Sequence, residues 1–389
     1  MKRKIIAITG IRSEYDILYP VINFLRKDYR CDLKIIVSGA HLSSWHGLTY
    51  KKIEEDGFEV IAKINSFINT DSLIQRPKAV GVLISALSRI IEKEQPHFLL
   101  VVGDREESIA AAVVGNYMNT LVVHIGGGDS VYGNADDPIR FAVSKLAHIH
   151  FVLSNDSLIN LLKVGEERFR IFNVGNPSLD NIRATSDMHF PKISTYLDFD
   201  IKTKEYLIFI KHPLSSEKKD SYPQMKISLE AVEKFCKKNN LKAVGIYPNT
   251  DPGSRALLEI IDTYKKSDYV RFYKTLPREI FINLMKNCLV LVGNSSMGIL
   301  ETPFYQIPVV NIGNRQKGRF NAGNVEFVEH EENKIVKSLH KACFNKIYRK
   351  RIFSIKNPFG DGHAAEKIRN ILLSVDVNDK KWYIKKKLC

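Results

Sequence analysis

Short β-branched runs, each followed by a polar, glycine-containing turn and a helix-compatible stretch, recur along the whole chain. This alternation narrows the choice of fold more than any other feature. The runs lie at residues 4–9, 32–37, 98–102, 121–125, 149–153 and 170–173, then at 206–210, 243–247, 270–274, 289–292 and 308–312. They lack polar alternation, as expected of strands buried on both faces, so the pattern predicts an α/β protein with parallel sheets. Helical stretches fall between them, for example at 14–27 and 80–94. Residues 183–204 are polar, contain Pro191 and show no clear period, and they read as a hinge linker. A chain of 389 residues is long enough for two domains, each with its own core. Residues 364–374 read as a closing helix, followed by a loosely held tail.

Composition removes several classes of function. Hydrophobic residues make up 44% and charged residues 26%, with no apolar run long enough to span a bilayer, so a soluble protein with no membrane partner is expected. The basic-then-apolar start is too short for a secretory signal core and reads as a first strand. Five scattered cysteines, with no CxxC or Cys/His cluster, suit a reduced cytoplasmic compartment and offer no metal site. The net charge of +15 comes from dispersed lysines, with local clusters at 218–219, 349–351 and 385–387. None of these is interleaved with aromatics in a nucleic-acid motif, so no nucleic-acid partner is expected, whereas an anionic small molecule suits the positive field. There is no GxxxxGK[ST] loop, no GxGxxG after the first strand and no GxSxG elbow, which disfavours a Walker ATPase, a dinucleotide oxidoreductase and a serine hydrolase.

The polar motifs all follow strands, and ligands of open α/β sheets bind outside the carboxyl ends of strands. Two such domains would set a ligand cleft between those ends. GNSSMGILE, at 293–301, offers Ser295 and Ser296 at a helix start as a phosphate cradle, with Glu301 about one and a half turns on, in reach of a ribose. The alternative is an ordinary N-cap. GIRSEYD, at 10–16, presents Arg12, suited to bidentate phosphate binding or simply exposed. GDREE, at 103–107, presents Asp104 and Arg105 at a strand end, where Asp104 is either a catalytic carboxylate or a helix cap. HIGGGDSVYGNADDPIR, at 124–140, combines His124, three glycines that would let a substrate approach the backbone, and Asp129, Asp136 and Asp137. One of the last two caps the following helix beside Pro138, and the other is left for acid–base work. KHP at 211–213 offers His212 to a diphosphate, YPNTDPGS at 247–254 offers Asn249 and Asp251, and NIGNRQKGR at 311–319 offers Arg315.

Taken in order, these segments, with SGAHLSSWHGLTYKKIEEDGF (38–58), SKLAHIHF (144–151), VGNPSLDNI (174–182) and GDG (360–362), resemble the hydrolysing UDP-N-acetylglucosamine 2-epimerases of sialic-acid and related nonulosonate biosynthesis. The resemblance spans almost the whole chain. It implies a GT-B architecture of two Rossmann-like domains, 1–185 on the sugar side and 186–364 holding UDP, with 365–389 crossing back to the first. It implies that Arg12, His212, Ser295, Ser296 and Arg315 contact the diphosphate, that Asn249 lies along the nucleotide and that Glu301 takes the ribose. Asp104, Arg105 and Asp136 would lie on the sugar side, with Asp104, Asp129, Asp136 and His124 as the catalytic set. Neither a metal nor a redox cofactor is implied, and the family suggests a homodimer or homotetramer. Its members expel UDP by elimination across C1–C2 and then hydrate the glycal-like intermediate to the 2-epimeric sugar, N-acetylmannosamine in the parent case. Two positions depart from the pattern: Gly126 stands where many members carry glutamate, and Phe141 where relatives often carry histidine. The sister substrate UDP-2,4-diacetamido-2,4,6-trideoxyglucose, of legionaminic-acid synthesis, a GT-B glycosyltransferase and an inactive nucleotide-sugar binding protein are the competing readings.

Overall fold

A seven-stranded and a six-stranded sheet, both wholly parallel, carry the chain. The computed structural model describes residues 2–44, 47–66, 74–131, 136–249 and 251–384. They fall into two compact units, the first drawn mainly from residues up to 181 and from 359 onward, the second from 182–358.

The first sheet comprises β1 (Arg3–Thr9), β2 (Cys31–Ser38), β3 (Val60–Ile64), β4 (Phe98–Val102), β5 (Leu121–Ile125), β6 (Ile149–Val152) and β7 (Ile171–Asn173), in the order β3-β2-β1-β4-β5-β6-β7. The second comprises β8 (Tyr206–Ile210), β9 (Lys242–Ile246), β10 (Val270–Tyr273), β11 (Leu291–Gly293), β12 (Val309–Ile312) and β13 (Val325–Val328), in the order β10-β9-β8-β11-β12-β13. Both are doubly wound, with the chain reversing direction between β1 and β4 in one sheet and between β8 and β11 in the other. The central strands β4, β5 and β8 are buried at every residue, which is why they show no polar alternation.

The strand runs are found where the sequence puts them, within two residues at either end, and two edge strands are added. β3 and β13 are short, partly exposed and carry Lys63 and Glu326, so neither reads as a buried run. The supposed linker is different in kind. Phe190–Leu197 is a helix with Pro191 in its first turn, where a missing N–H costs nothing. Its Ile193 and Leu197 pack with Phe199 and Ile201 into the core of the second unit.

The closing helix runs from Ala364 to Ser374, as expected, and packs on the helix Arg12–Lys27 of the first unit. Asp180 of the VGNPSLDNI segment caps it from a distance, its carboxylate accepting the amides of Ala364 at 3.0 Å and Ala365 at 2.9 Å. The tail is not loose as far as Ile384. The guanidinium of Arg170, which is fully buried, donates to the carbonyls of Lys381, Trp382 and Ile384 at 2.6–2.8 Å, and Trp382 is buried. The lysines at 385–387 lie outside the described residues. Among the described residues no helix is long and apolar enough to cross a membrane.

Candidate active site

In the first unit the carboxyl ends of β4 and β5 bring together an aspartate pair and an arginine. Asp104 follows β4 in a tight turn, and the helix Glu106–Tyr117 begins just after it with Arg105 in the cap position and no side-chain cap. Asp104 therefore does not cap. It pairs with Arg140, which projects from the helix Asp136–Leu146. The same guanidinium lies 3.7 Å from Asp129 and donates to the Gly126 carbonyl at 3.1 Å. A cation thus sits among two carboxylates and a loop carbonyl, with Asp129 buried and Arg140 nearly so. Such an arrangement holds both carboxylates in fixed positions and offsets their mutual repulsion. Arg140 was visible in sequence only as the last residue of a loop motif, because nothing in its spacing announces a partner 36 residues away.

His124 has a different role from the one its motif suggests. It is fully buried on β5, and its Nε2 lies 2.7 Å from the Gly103 carbonyl while Nδ1 faces Ser144 Oγ at 3.2 Å. Burial, with His150 beside it, pushes its pKa down to about 3. A neutral, enclosed imidazole donating to the turn before Asp104 is a support for that carboxylate rather than a proton carrier. Asp136 opens its helix, and its side chain lies outside the described residues. Arg105 and Arg12 are both half-buried, Arg12 lying 3.5 Å from Asp16.

The glycines of the same loop serve the chain itself. A Cβ on Gly127 would lie 2.7 Å from Ser144 Oγ and 2.9 Å from His124 Nδ1, and one on Gly128 would lie 2.3 Å from the Ser157 carbonyl. Their smallness is demanded by internal packing, a correction to the expectation that they clear the way for substrate. Gly126 has room for a side chain but a φ of +81°, a conformation that disfavours the glutamate which the resemblance would lead one to expect there.

The second unit gathers amide, imidazole and guanidinium donors. His212 follows β8, and its backbone exchanges hydrogen bonds with the Asn294 side chain, N–H to Oδ1 at 2.7 Å and Nδ2–H to carbonyl at 2.9 Å. The Asn249 amide donates to His212 Nδ1 at 3.0 Å, so the neutral ring carries its proton on Nε2. Arg315, after β12, donates to the Asn294 carbonyl at 3.1 Å and stands 3.9 Å from Asp251, which in turn accepts from Asn249 Nδ2. The turns after β8, β9, β11 and β12 are thereby tied into one cluster, with Asp251, a sequence candidate, and Asn294, which sequence reading did not single out, as connectors. Ser295, Ser296 and Glu301 are half-buried on the same segment. The long helix expected there is two four-residue pieces, Met297–Leu300 and Thr302–Tyr305, broken at Glu301 ahead of Pro303. Ser296 stands at the cap position without a side-chain cap bond. Lys211 turns inward, fully buried with Nζ 2.8 Å from His330 Nε2, and burial pushes it down to about 7.

Comparison with known proteins agrees with this architecture. The family model described as UDP-N-acetylglucosamine 2-epimerase matches residues 23–373. The hydrolysing UDP-N,N'-diacetylbacillosamine 2-epimerase of Legionella pneumophila is 32% identical over 380 residues, covering 98% of each chain. The UDP-N-acetylglucosamine 2-epimerase of Neisseria meningitidis serogroup B is 29% identical over 343 residues, covering 88% of each. A crystal structure of UDP-GlcNAc 2-epimerase from Neisseria meningitidis bound to UDP-GlcNAc superposes with a TM-score of 0.81 at 20% identity, over 96% of this chain and all of that one, and shares its fold. With two doubly wound parallel units of the GT-B type and a family match across most of its length, the chain belongs to the UDP-N-acetylglucosamine 2-epimerase family.

Proposed function

We propose that the chain is a hydrolysing UDP-sugar 2-epimerase, which converts a UDP-2-acetamido sugar and water to UDP and the free 2-epimeric sugar. The observation that carries this reading, beside the family match, is the Asp104–Arg140–Asp129 cluster at the ends of β4 and β5. The reaction starts when a carboxylate takes the C2 proton. The electron pair of that C–H bond forms the C1=C2 double bond as the C1–O bond breaks and its electrons leave with UDP. Water then adds its oxygen at C1, losing a proton to a carboxylate, while an acid delivers a proton to the opposite face of C2. Both halves need carboxyl groups fixed near the ring, and the leaving diphosphate needs donors. In this reading Asp104 and Asp129 supply the proton transfers, Asp136 is a further acid–base candidate on the sugar side, Arg140 positions both aspartates, and Arg105 binds the sugar. His212, Asn249, Ser295, Ser296 and Arg315 hold the nucleotide with Arg12, and Glu301 takes the ribose.

Two substrates compete. Sequence reading puts UDP-N-acetylglucosamine first, whereas the Legionella relative, with the higher identity and the longer coverage of the two named above, is called a diacetylbacillosamine epimerase, and its substrate is the 2,4-diacetamido-2,4,6-trideoxy sugar. That relative favours the diacetamido sugar. The test is incubation of the purified protein with each UDP-sugar in deuterated water. Free UDP and a 2-epimeric sugar deuterated at C2 are expected from one of them. Absence of both products with both substrates refutes the proposal, and recovery of an intact 2-epimeric UDP-sugar would assign a non-hydrolysing reaction.

A further inference from the structure

Below the Gly10 turn of the first unit lie two carboxyl groups that the proposed reaction does not use. Glu14, on the helix Arg12–Lys27, and Glu107, on the helix Glu106–Tyr117, are both buried, at 7% and 4% exposure. Glu14 Oε2 accepts the Gly10 amide at 2.8 Å. Glu107 Oε1 accepts the Ser38 hydroxyl at 2.7 Å. Glu107 presses so closely on the turn that a Cβ on Gly10 would lie 2.1 Å from its Cδ, and one on Gly39 would lie 2.8 Å from its Oε1. Glu14 Oε1 is buried and, among the described residues, has no hydrogen-bond donor.

Two adjacent carboxylates in a low-dielectric pocket, with an acceptor oxygen left over, are unstable as a doubly ionised pair. A proton on one of them turns a surplus acceptor into a donor and satisfies the other. We propose that Glu14 and Glu107 hold a single proton between them, and that this carboxyl–carboxylate pair fixes the Gly10 turn on which Arg12 stands. The pair ties together the carboxyl ends of β1, β2 and β4, since Glu14 bonds to the Gly10 turn, Ser38 ends β2 with Gly39 next, and Glu107 follows β4. Burial, with each carboxyl facing a nearby acidic neighbour, raises both groups above the ordinary range. The charged neighbours are Asp104 and Glu106, which favour retention of the proton, and Arg105, which opposes it. His41 adds no charge. Its amide holds the Gly10 carbonyl at 3.1 Å, its Nε2 lies 3.0 Å from Thr9 Oγ1, and burial pushes it down to about 4.

These are positioning residues, and the test reads stability as well as turnover. A carboxyl with a raised folded-state pKa contributes stability that is full below its unfolded value and is lost as pH rises toward the folded one. Glu107→Gln keeps the shape, supplies an N–H to Glu14 and removes one titrating group. Its melting temperature is expected to fall less than that of the wild type as pH rises above about 4.5, the ordinary glutamate value. Its kcat/KM at neutral pH should stay within about threefold, and the alkaline limb of the wild-type profile should shift or vanish. Glu107→Ala, with no donor, should lose about tenfold at all pH values. Parallel melting curves for Glu107→Gln and wild type would overturn the proposal. So would loss of turnover in a normally folded Glu107→Gln, which would make Glu107 a base. Should Glu107→Gln not fold, Glu14→Gln carries the same two readouts. The kinetic arm rests on the epimerase reading, whereas the melting arm does not, so the two can fail separately.

Discussion

Through six strands the two sheets run in the same order, β3-β2-β1-β4-β5-β6 matching β10-β9-β8-β11-β12-β13, yet the loops at their carboxyl ends carry different chemistry. Those of the first unit hold carboxyl groups: Asp104 and Asp129 around Arg140, and beneath them Glu14 and Glu107. The clustered turns of the second hold amides and an imidazole, His212, Asn249 and Asn294, with Arg315 and Asp251. The same scaffold thus serves two ends of one proposed reaction. Moving a proton at carbon needs acids and bases, while retaining a diphosphate needs hydrogen-bond donors and a cation.

The sharpest way to break this comparison is at Asp104. Asp104→Asn is expected to lower kcat by about 10³-fold while UDP affinity, measured by calorimetry, stays within about threefold. An equal loss of affinity would erase the division between the units. Arg140→Met removes the cation shared by Asp104 and Asp129, and a fall in kcat of about 10²-fold with KM nearly unchanged is expected in steady-state kinetics. In the second unit Arg315→Ala should weaken UDP binding by about 30-fold, with a smaller effect on kcat at saturation. Asp180→Ala lies outside both clusters and should leave kcat and UDP binding alone while costing about 2 kcal/mol of stability, read from urea unfolding, because two buried amides of the closing helix lose their acceptor.

Much of the scaffold could be read in the sequence because buried parallel strands leave unmixed apolar runs, as at β4, β5 and β8. The edge strands β3 and β13 left no such trace, and Pro191 suggested a break where it begins a helix. At the site, Asp104, Asp129, His212 and Arg315 stood out as polar residues following strands. What sequence spacing could not convey was which of them touch. Arg140 meets Asp104 across 36 residues, and Asn294 meets His212 across 82. Nor could it separate a glycine that clears space for a ligand from Gly127 and Gly128, which clear space for Ser144, His124 and Ser157. His124 shows the same limit, since a buried support and a catalytic imidazole look alike in a motif.

The return of residues 359–384 to the first unit bears on how the chain is made. The second unit is drawn almost entirely from 182 to 358 and can close as that stretch emerges from the ribosome, whereas the first must wait for the last-made segment. Until then Arg170 has no tail carbonyls to bind and Asp180 no helix to cap, although both residues were synthesised long before. The part made first is therefore completed last, and a nascent chain would carry an unfinished first unit together with a finished second one.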